Sequence, residues 1–344
     1  MIKKTYGFAI IGTGAIANIH ARAIEAIPNA QLIAVYNRTS SKAEEFAKAN
    51  QCLSYNSIEE LLENSNIDII CICTASGAHL EIAEQSIIAG KHCLIEKPLE
   101  ITLERCDRII NAAKQKNIQV GTIFPTRFYP NSKKIKDKIN EGAFGELVIG
   151  SAYVKWHRSA AYYQSAAWRG TWQLDGGGAL MNQGIHAVDM LLWYMGPVAH
   201  VTAITANRIH QEIEVEDTVV AQIQFKNGAL GTIECTTAAY PGTAKRVEIV
   251  GTKGSATLEE NNLTLWDFQE ENKDDSNQIT ESISGGVSDP MAIGHYGHQL
   301  QIEDFMEALE SGRKPFVDDI EGRKSVELIC AIYQSAKEER RIYL

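Results

Sequence analysis

The 344-residue chain has no apolar run long enough to span a bilayer. Its first residues, Met1 to Tyr6, lack the long apolar core of a secretory signal. A membrane association is therefore not expected, and a cytoplasmic location is. Clustered positive charge is missing as well. The 43 Asp and Glu outweigh the 33 Lys and Arg, for a formal net charge of −10. That balance argues against nucleic acid as a partner, because a phosphate backbone needs gathered cations. The seven cysteines are odd in number and scattered, without metal-ligand spacing. Most lie in apolar runs such as Ile69-Ile70-Cys71-Ile72-Cys73, so they read as buried reduced thiols and no metal is expected. Internal repeats and low-complexity tracts are also absent.

What remains is the composition of a globular protein, 44% hydrophobic and 22% charged, at a length that suits two domains. Short apolar strands at 6–12, 31–36, 68–73, 92–95 and 118–123 alternate with helical patterns at 15–27, 41–50, 57–64, 79–89 and 102–116. Such alternation predicts a doubly wound parallel sheet covered on both faces, an α/β fold. Near residue 125 the rhythm changes. A helix at 130–140 precedes longer strands of alternating character at 146–157, 199–208, 217–226 and 229–237, with turn signals at Asn227-Gly228 and Lys253-Gly254. This half reads as an α+β domain with a largely antiparallel open sheet. The expected domains are 1–124 and 125–344. Residues 267–290 read as a polar loop, and helices are expected at 296–311 and 320–338, the C-terminal one a candidate to pack back on the first domain.

Two local patterns carry chemistry. The first is Gly12-Thr13-Gly14-Ala15-Ile16-Ala17, between a strand and a helix. Gly12 permits the tight turn, Gly14 lets backbone N–H groups approach a pyrophosphate at the helix N-terminus, and Ala17 is small enough for helix–sheet packing. The end of the second strand, Asn37-Arg38-Thr39-Ser40, has no acid to bond an adenosine ribose. Its donors and positive charge suit a 2′-phosphate, so the reading leans to NADP over NAD; the alternative is a solvated arginine with Asn37 on the ribose of NAD. The second pattern runs from Asp175 through Gly176-Gly177-Gly178 to Asp189. Its apolar residues recur at helical spacing, and Asn182, His186 and Asp189 stand at i, i+4 and i+7, which predicts one shared helix face. Glu96-Lys97-Pro98 follows a strand at the end where doubly wound sheets bind ligands, although a Lys-Pro pair also suits an exposed turn. Arg127 opens the second half, and Trp168-Arg169 precedes the glycines. Aromatics with an arginine suit a sugar ring and its hydroxyl or acid groups, or ordinary packing.

In this order, Gly12–Ala17, Thr74-Ala75-Ser76-Gly77-Ala78-His79, Glu96-Lys97-Pro98 and Gly176–Asp189 resemble the glucose–fructose oxidoreductase, inositol dehydrogenase and MocA family (Gfo/Idh/MocA) along essentially the whole chain. The resemblance implies an N-terminal Rossmann domain and a C-terminal α/β domain that mediates homodimer or homotetramer contacts. It further implies hydride transfer between NAD(P) and a sugar, cyclitol or related hydroxyl carbon. Carried over, Lys97 is the substrate-facing lysine and His186 the acid/base histidine. Asn182 stands where many members have aspartate, and so binds a substrate hydroxyl. Thr74, Ser76, His79 and Glu96 fall on cofactor-side loops. Asp189 orients the imidazole or makes a helix-face salt bridge. A keto or imine reductase and a non-catalytic NAD(P) sensor are the rival readings. The wording around Trp168-Arg169 and Asn182–His186 is similar to a branch that includes sugar-nucleotide uronate dehydrogenases.

Overall fold

The computed structural model describes residues 4–270 and 294–344. The chain divides into two compact units, one of residues 1–125 and 294–323, the other of 126–293 and 324–344.

The first unit is built on a six-stranded parallel sheet. Its strands are β1 (Tyr6–Ile11), β2 (Ala30–Tyr36), β3 (Leu53–Tyr55), β4 (Ile69–Ile72), β5 (His92–Ile95) and β6 (Val120–Thr122), in the order β3-β2-β1-β4-β5-β6. This is the order of a dinucleotide-binding doubly wound fold, with its crossing point between β1 and β4. Every residue of β1 and of β4 is buried, as expected of strands covered on both faces. Helices α1 (Ala15–Glu25), α2 (Ser40–Asn50), α3 (Ile58–Glu63), α4 (His79–Ile88) and α5 (Leu103–Lys116) alternate with the strands. The three-residue edge strand β3 was not anticipated from sequence; Leu53 and Ser54 are exposed, so it lacks the apolar run that marks its neighbours.

The second unit carries α6 (Pro130–Asn140), β7 (Leu147–Lys155), α7 (Ala160–Gln164), α8 (Ile185–Met195), β8 (Val198–Ala206), β9 (Thr218–Phe225), β10 (Leu230–Thr236), β11 (Arg246–Gly251), β12 (Gly254–Glu259) and β13 (Asn262–Phe268). Helix α9 (Tyr296–Ser311) returns to the first unit, where Ile302, Phe305 and Met306 join its core. The division falls inside α10 (Asp319–Glu338), and β14 (Ile342–Tyr343) completes the second sheet. That sheet has eight strands, ordered β13-β12-β11-β7-β10-β9-β8-β14, and is antiparallel except where β10 runs parallel to β7. Strand β9 alternates buried and open residues, so one face is packed and the other is not. Of the expected polar loop 267–290, residues 267 and 268 belong to β13, and 271–290 lie outside the described residues.

The helix expected over 179–195 is present in two parts. Ala179–Gly184 forms a wide π-type turn, and the regular α-helix begins only at Ile185. A π turn bonds i to i+5, so it holds one residue more than an α turn. The i, i+4, i+7 spacing of Asn182, His186 and Asp189 therefore does not describe a single α-helical face. Asn182 and His186 are half-buried, whereas Asp189 is buried at 1% exposure.

Candidate active site

In the first unit the glycine loop meets the requirements of a dinucleotide. Gly12 has φ of +99°, and a Cβ there would stand 2.6 Å from the Cys73 carbonyl oxygen. Gly14 has open space around its Cβ position and starts α1 in an extended conformation with no side-chain cap. The N–H groups of the first turn are thus presented by exposed Gly14 and Ala15 to an anion. Thr13 accepts a hydrogen bond from the Asn37 amide at 2.7 Å, and Asn37 in turn accepts from the Thr39 N–H at 2.8 Å. Asn37 therefore ties the end of β2 to the glycine loop, while Arg38 and Thr39 beside it are exposed. Thr74 Oγ1, just after β4, is buried and has no hydrogen-bond partner among the described residues, a feature that a bound polar ligand would satisfy. These observations fit a dinucleotide.

Two sequence-predicted residues of this unit turn out to be struts. His79, expected beside the cofactor, is fully buried, and its Nδ1–H donates to the Pro98 carbonyl at 2.9 Å. Burial holds its pKa below the ordinary value, and its bond to Pro98 braces the Lys97-Pro98 segment, whose peptide bond is cis. Glu96 is also buried. Its Oε1 accepts from His20 Nε2 at 2.8 Å and lies 3.5 Å from His298 Nε2, while its Oε2 accepts from the Lys97 N–H at 3.2 Å. Burial works against ionisation of Glu96, but the bonds from His20 and His298 prevail and hold its carboxyl well below the usual range. Burial likewise disfavours a charged His20, and its contacts with Cys73, Cys71 and Glu96 more than compensate, so its pKa stands well above the ordinary value. Lys97 itself is half-buried. Neither His20 nor His298 stood out in the sequence. His20 sits among the apolar residues Ile19, Ala21 and Ala23, and the contribution of α9 to this unit is visible only in the fold.

In the second unit a polar network surrounds Asn182. Its amide donates to Asp175, whose other oxygen accepts the Gly170 N–H at 2.9 Å. Its carbonyl accepts from Gln183 at 2.7 Å; Gln183 also donates to Tyr162 and accepts from Arg158. Arg169 packs its guanidinium over the rings of Tyr162 and Trp168, at 4.2 and 4.5 Å from their centroids. The structure thus brings Asn182, Trp168 and Arg169 into one cluster with Asp175, Gln183, Tyr162 and Arg158, four residues the sequence reading did not select. Asp175 entered that reading only as the residue that opens the glycine pattern.

Arg127 and Asp189 are the clear correction. Arg127 was expected against the substrate, and Asp189 was expected to orient the imidazole there or to make a salt bridge. They are paired to each other, Arg127 Nε to Asp189 Oδ2 at 2.9 Å and Arg127 Nη2 to Oδ1 at 2.7 Å, with residue exposures of 2% and 1%. The guanidinium fork is taken up by the carboxylate, and the ring of Trp193 lies 5.5 Å from it. The salt bridge is one of the two readings left open for Asp189, and it joins Arg127, in the short turn Pro125–Phe128, to α8 within the second unit.

The family description for the NAD-binding Rossmann fold of the oxidoreductase family matches residues 6–124, and that for the GFO/IDH/MocA C-terminal domain matches residues 132–257. The chain belongs to the Gfo/Idh/MocA family of oxidoreductases, and its first unit is the family's NAD-binding domain. It is 33% identical over 269 residues to an uncharacterised oxidoreductase of Synechocystis, covering 74% of this chain and 72% of that one. It is 28% identical to myo-inositol 2-dehydrogenase of Thermotoga maritima, over 97% of both chains. Among solved structures, the WlbA dehydrogenase of Bordetella pertussis in complex with NADH and UDP-GlcNAcA is 30% identical, with a TM-score of 0.89 and 99% of each chain covered.

The Arg127–Asp189 pair yields a direct expectation. Arg127→Ala leaves a buried carboxylate without its cation and should cost about 3–5 kcal/mol in urea unfolding. A loss below about 1 kcal/mol would show that the pair does not hold the second unit together.

Proposed function

We propose that the protein is an NAD(P)-dependent dehydrogenase or reductase acting on a hydroxyl-bearing carbon of a sugar, sugar derivative or cyclitol. The observation that carries this reading is that a member of this family retains Lys97 after β5 and His186 at the start of α8, behind a glycine loop suited to a dinucleotide. The bound nicotinamide supplies the hydride acceptor or donor. His186 has a side chain whose ordinary pKa lies near working pH, so it takes the hydroxyl proton in oxidation and returns it in reduction. Lys97 donates a hydrogen bond to the substrate oxygen as negative charge develops there. Asn182 carries no exchangeable acid proton, and its amide, steadied by Asp175 and Gln183, binds a substrate hydroxyl. Trp168 and Arg169 offer a ring face and a cation to a sugar that carries an acid group, and the named ligand of the WlbA relative is in keeping with that class. A sensor without turnover is disfavoured because both Lys97 and His186 are retained.

Nicotinamide absorbance with a panel of cyclitols, hexoses and hexuronates tests this. Lys97→Ala and His186→Ala should each lower kcat by ~10²–10⁴-fold with far-UV dichroism unchanged. Near-normal kcat in either variant removes that residue from the mechanism, and cofactor binding without turnover on any substrate favours the sensor.

For the cofactor, exposed Arg38 and Thr39 at an acid-free strand end support a 2′-phosphate and hence NADP(H), whereas the solved WlbA relative holds NADH. A lower KM for NADP than for NAD, reversed by Arg38→Ala, is the expected result; a clear preference for NAD in the unaltered protein sinks this choice.

The open face of the second sheet supports a homo-oligomer. Ile149, Ile204, Val220 and Leu230 project from β7, β8, β9 and β10 with exposures of 44%, 75%, 50% and 56%, and the sheet register places them on the same side. Light scattering should report a dimer or tetramer that Leu230→Glu dissociates; a monomeric unaltered protein overturns this. Cys71, Cys73, Cys93, Cys106 and Cys235 are buried, in keeping with a reducing cytoplasmic setting. Among the described residues no helix is long and apolar enough to cross a membrane.

A further inference from the structure

The first N–H groups of a helix have no partners within it. At the start of the wide turn Ala179–Gly184, an outside group satisfies each of them in succession. The Gly178 N–H donates to Glu216 Oε2 at 2.8 Å, the Ala179 N–H to the Glu216 carbonyl at 3.0 Å, and the Leu180 N–H to Glu216 Oε1 at 2.9 Å. The Met181 N–H donates to the Tyr333 hydroxyl at 3.2 Å, and that hydroxyl donates to Glu216 Oε1 at 3.0 Å. Glu216 precedes β9 and Tyr333 lies on α10, so two remote parts of the second unit converge on four consecutive amides.

The glycines make this approach possible. A Cβ on Gly178 would stand 1.7 Å from the Glu216 carbonyl oxygen, and one on Gly177 would stand 2.2 Å from the Tyr333 hydroxyl. The open run before the helix is thus matched to the residues that cap it. The consequence reaches His186, the second residue of α8. A π turn holds one residue more than an α turn, so its collapse to α geometry would rotate everything after it by about 100° relative to what precedes.

We propose that Glu216 and Tyr333 are positioning residues for His186, holding the preceding turn in its wide form and so setting the direction in which the imidazole leaves the helix. This rests on the reading of His186 as the acid/base group. Burial raises the Glu216 carboxyl to about 7 against the lowering effect of the Leu180 and Gly178 N–H groups and the Tyr333 hydroxyl, which marks how closely the group is enclosed. Among the described residues, Cys235 on β10 and Tyr163 on α7 are titratable groups that also interact with it.

The test uses the full-length protein labelled with 15N-histidine, with the His186 resonances assigned by their loss in His186→Gln. In Glu216→Gln the amide cannot accept at both oxygens, and in Tyr333→Phe only the hydroxyl is removed while the ring stays against Trp172. Both variants should shift the His186 resonances and its titration midpoint while His200, on β8, stays unmoved. On the best substrate of the panel, Glu216→Gln should lower kcat ~10–100-fold, Tyr333→Phe less, both with the KM for the dinucleotide unchanged. Unmoved His186 resonances in a folded Tyr333→Phe variant overturn the proposal, whether or not Glu216→Gln folds. Full turnover in His186→Gln would instead overturn the acid/base reading, and the two failures are read from different measurements.

Discussion

The second unit is organised by two adjacent carboxylates that gather backbone amides. Glu216 takes the start of the helix that carries His186. Asp217, fully buried beside it, accepts from the N–H groups of Arg208, Ile209 and His210 and from the Thr218 hydroxyl. Burial pushes both carboxyls up. For Asp217 the ring of donors prevails and its pKa falls below the ordinary value; for Glu216 burial prevails. A buried N–H without a partner costs a large part of a hydrogen bond. The two acids therefore fix a loop on one side and a helix on the other, and the strand β9 that follows them starts from a defined place.

The first unit has a counterpart in Glu96, the carboxylate behind Lys97. Its environment is opposite to that of Glu216, because two imidazoles converge on it where Glu216 meets only neutral donors. The contrast follows from the partners and not from the depth of burial, since Glu96 and Glu216 are equally exposed at 5%. A cationic partner lowers a buried carboxyl where neutral donors do not fully offset desolvation.

Much of this was legible in the chain. Alternation of short apolar strands with helices announced the parallel sheet, because strands covered on both faces must be apolar throughout. The glycine loop was legible because its tight turn and close approach admit few other residues. What escaped was whatever depended on contacts between distant positions. Arg127 and Asp189 are 62 residues apart in sequence, and neither marks its partner. Asp217 was legible only as the first residue of an expected strand and Glu216 was not singled out; only the folded chain shows that both side chains are buried. The spacing of Asn182, His186 and Asp189 misled for a related reason. The wide turn before α8 is imposed from outside by groups that bind its amides, so no local periodicity announces it.

Helix α9 has a consequence for the order in which the protein is made. Residues 1–125 contain the whole parallel sheet, yet Ile302, Phe305 and Met306 are part of its core and His298 reaches Glu96. A ribosome that has released only the nucleotide-binding segment has therefore released a sheet with one apolar patch uncovered, and the intervening unit must emerge before the patch is closed. A nascent chain carries that exposed surface until α9 has emerged, so the parallel sheet is completed only after the intervening unit has been made.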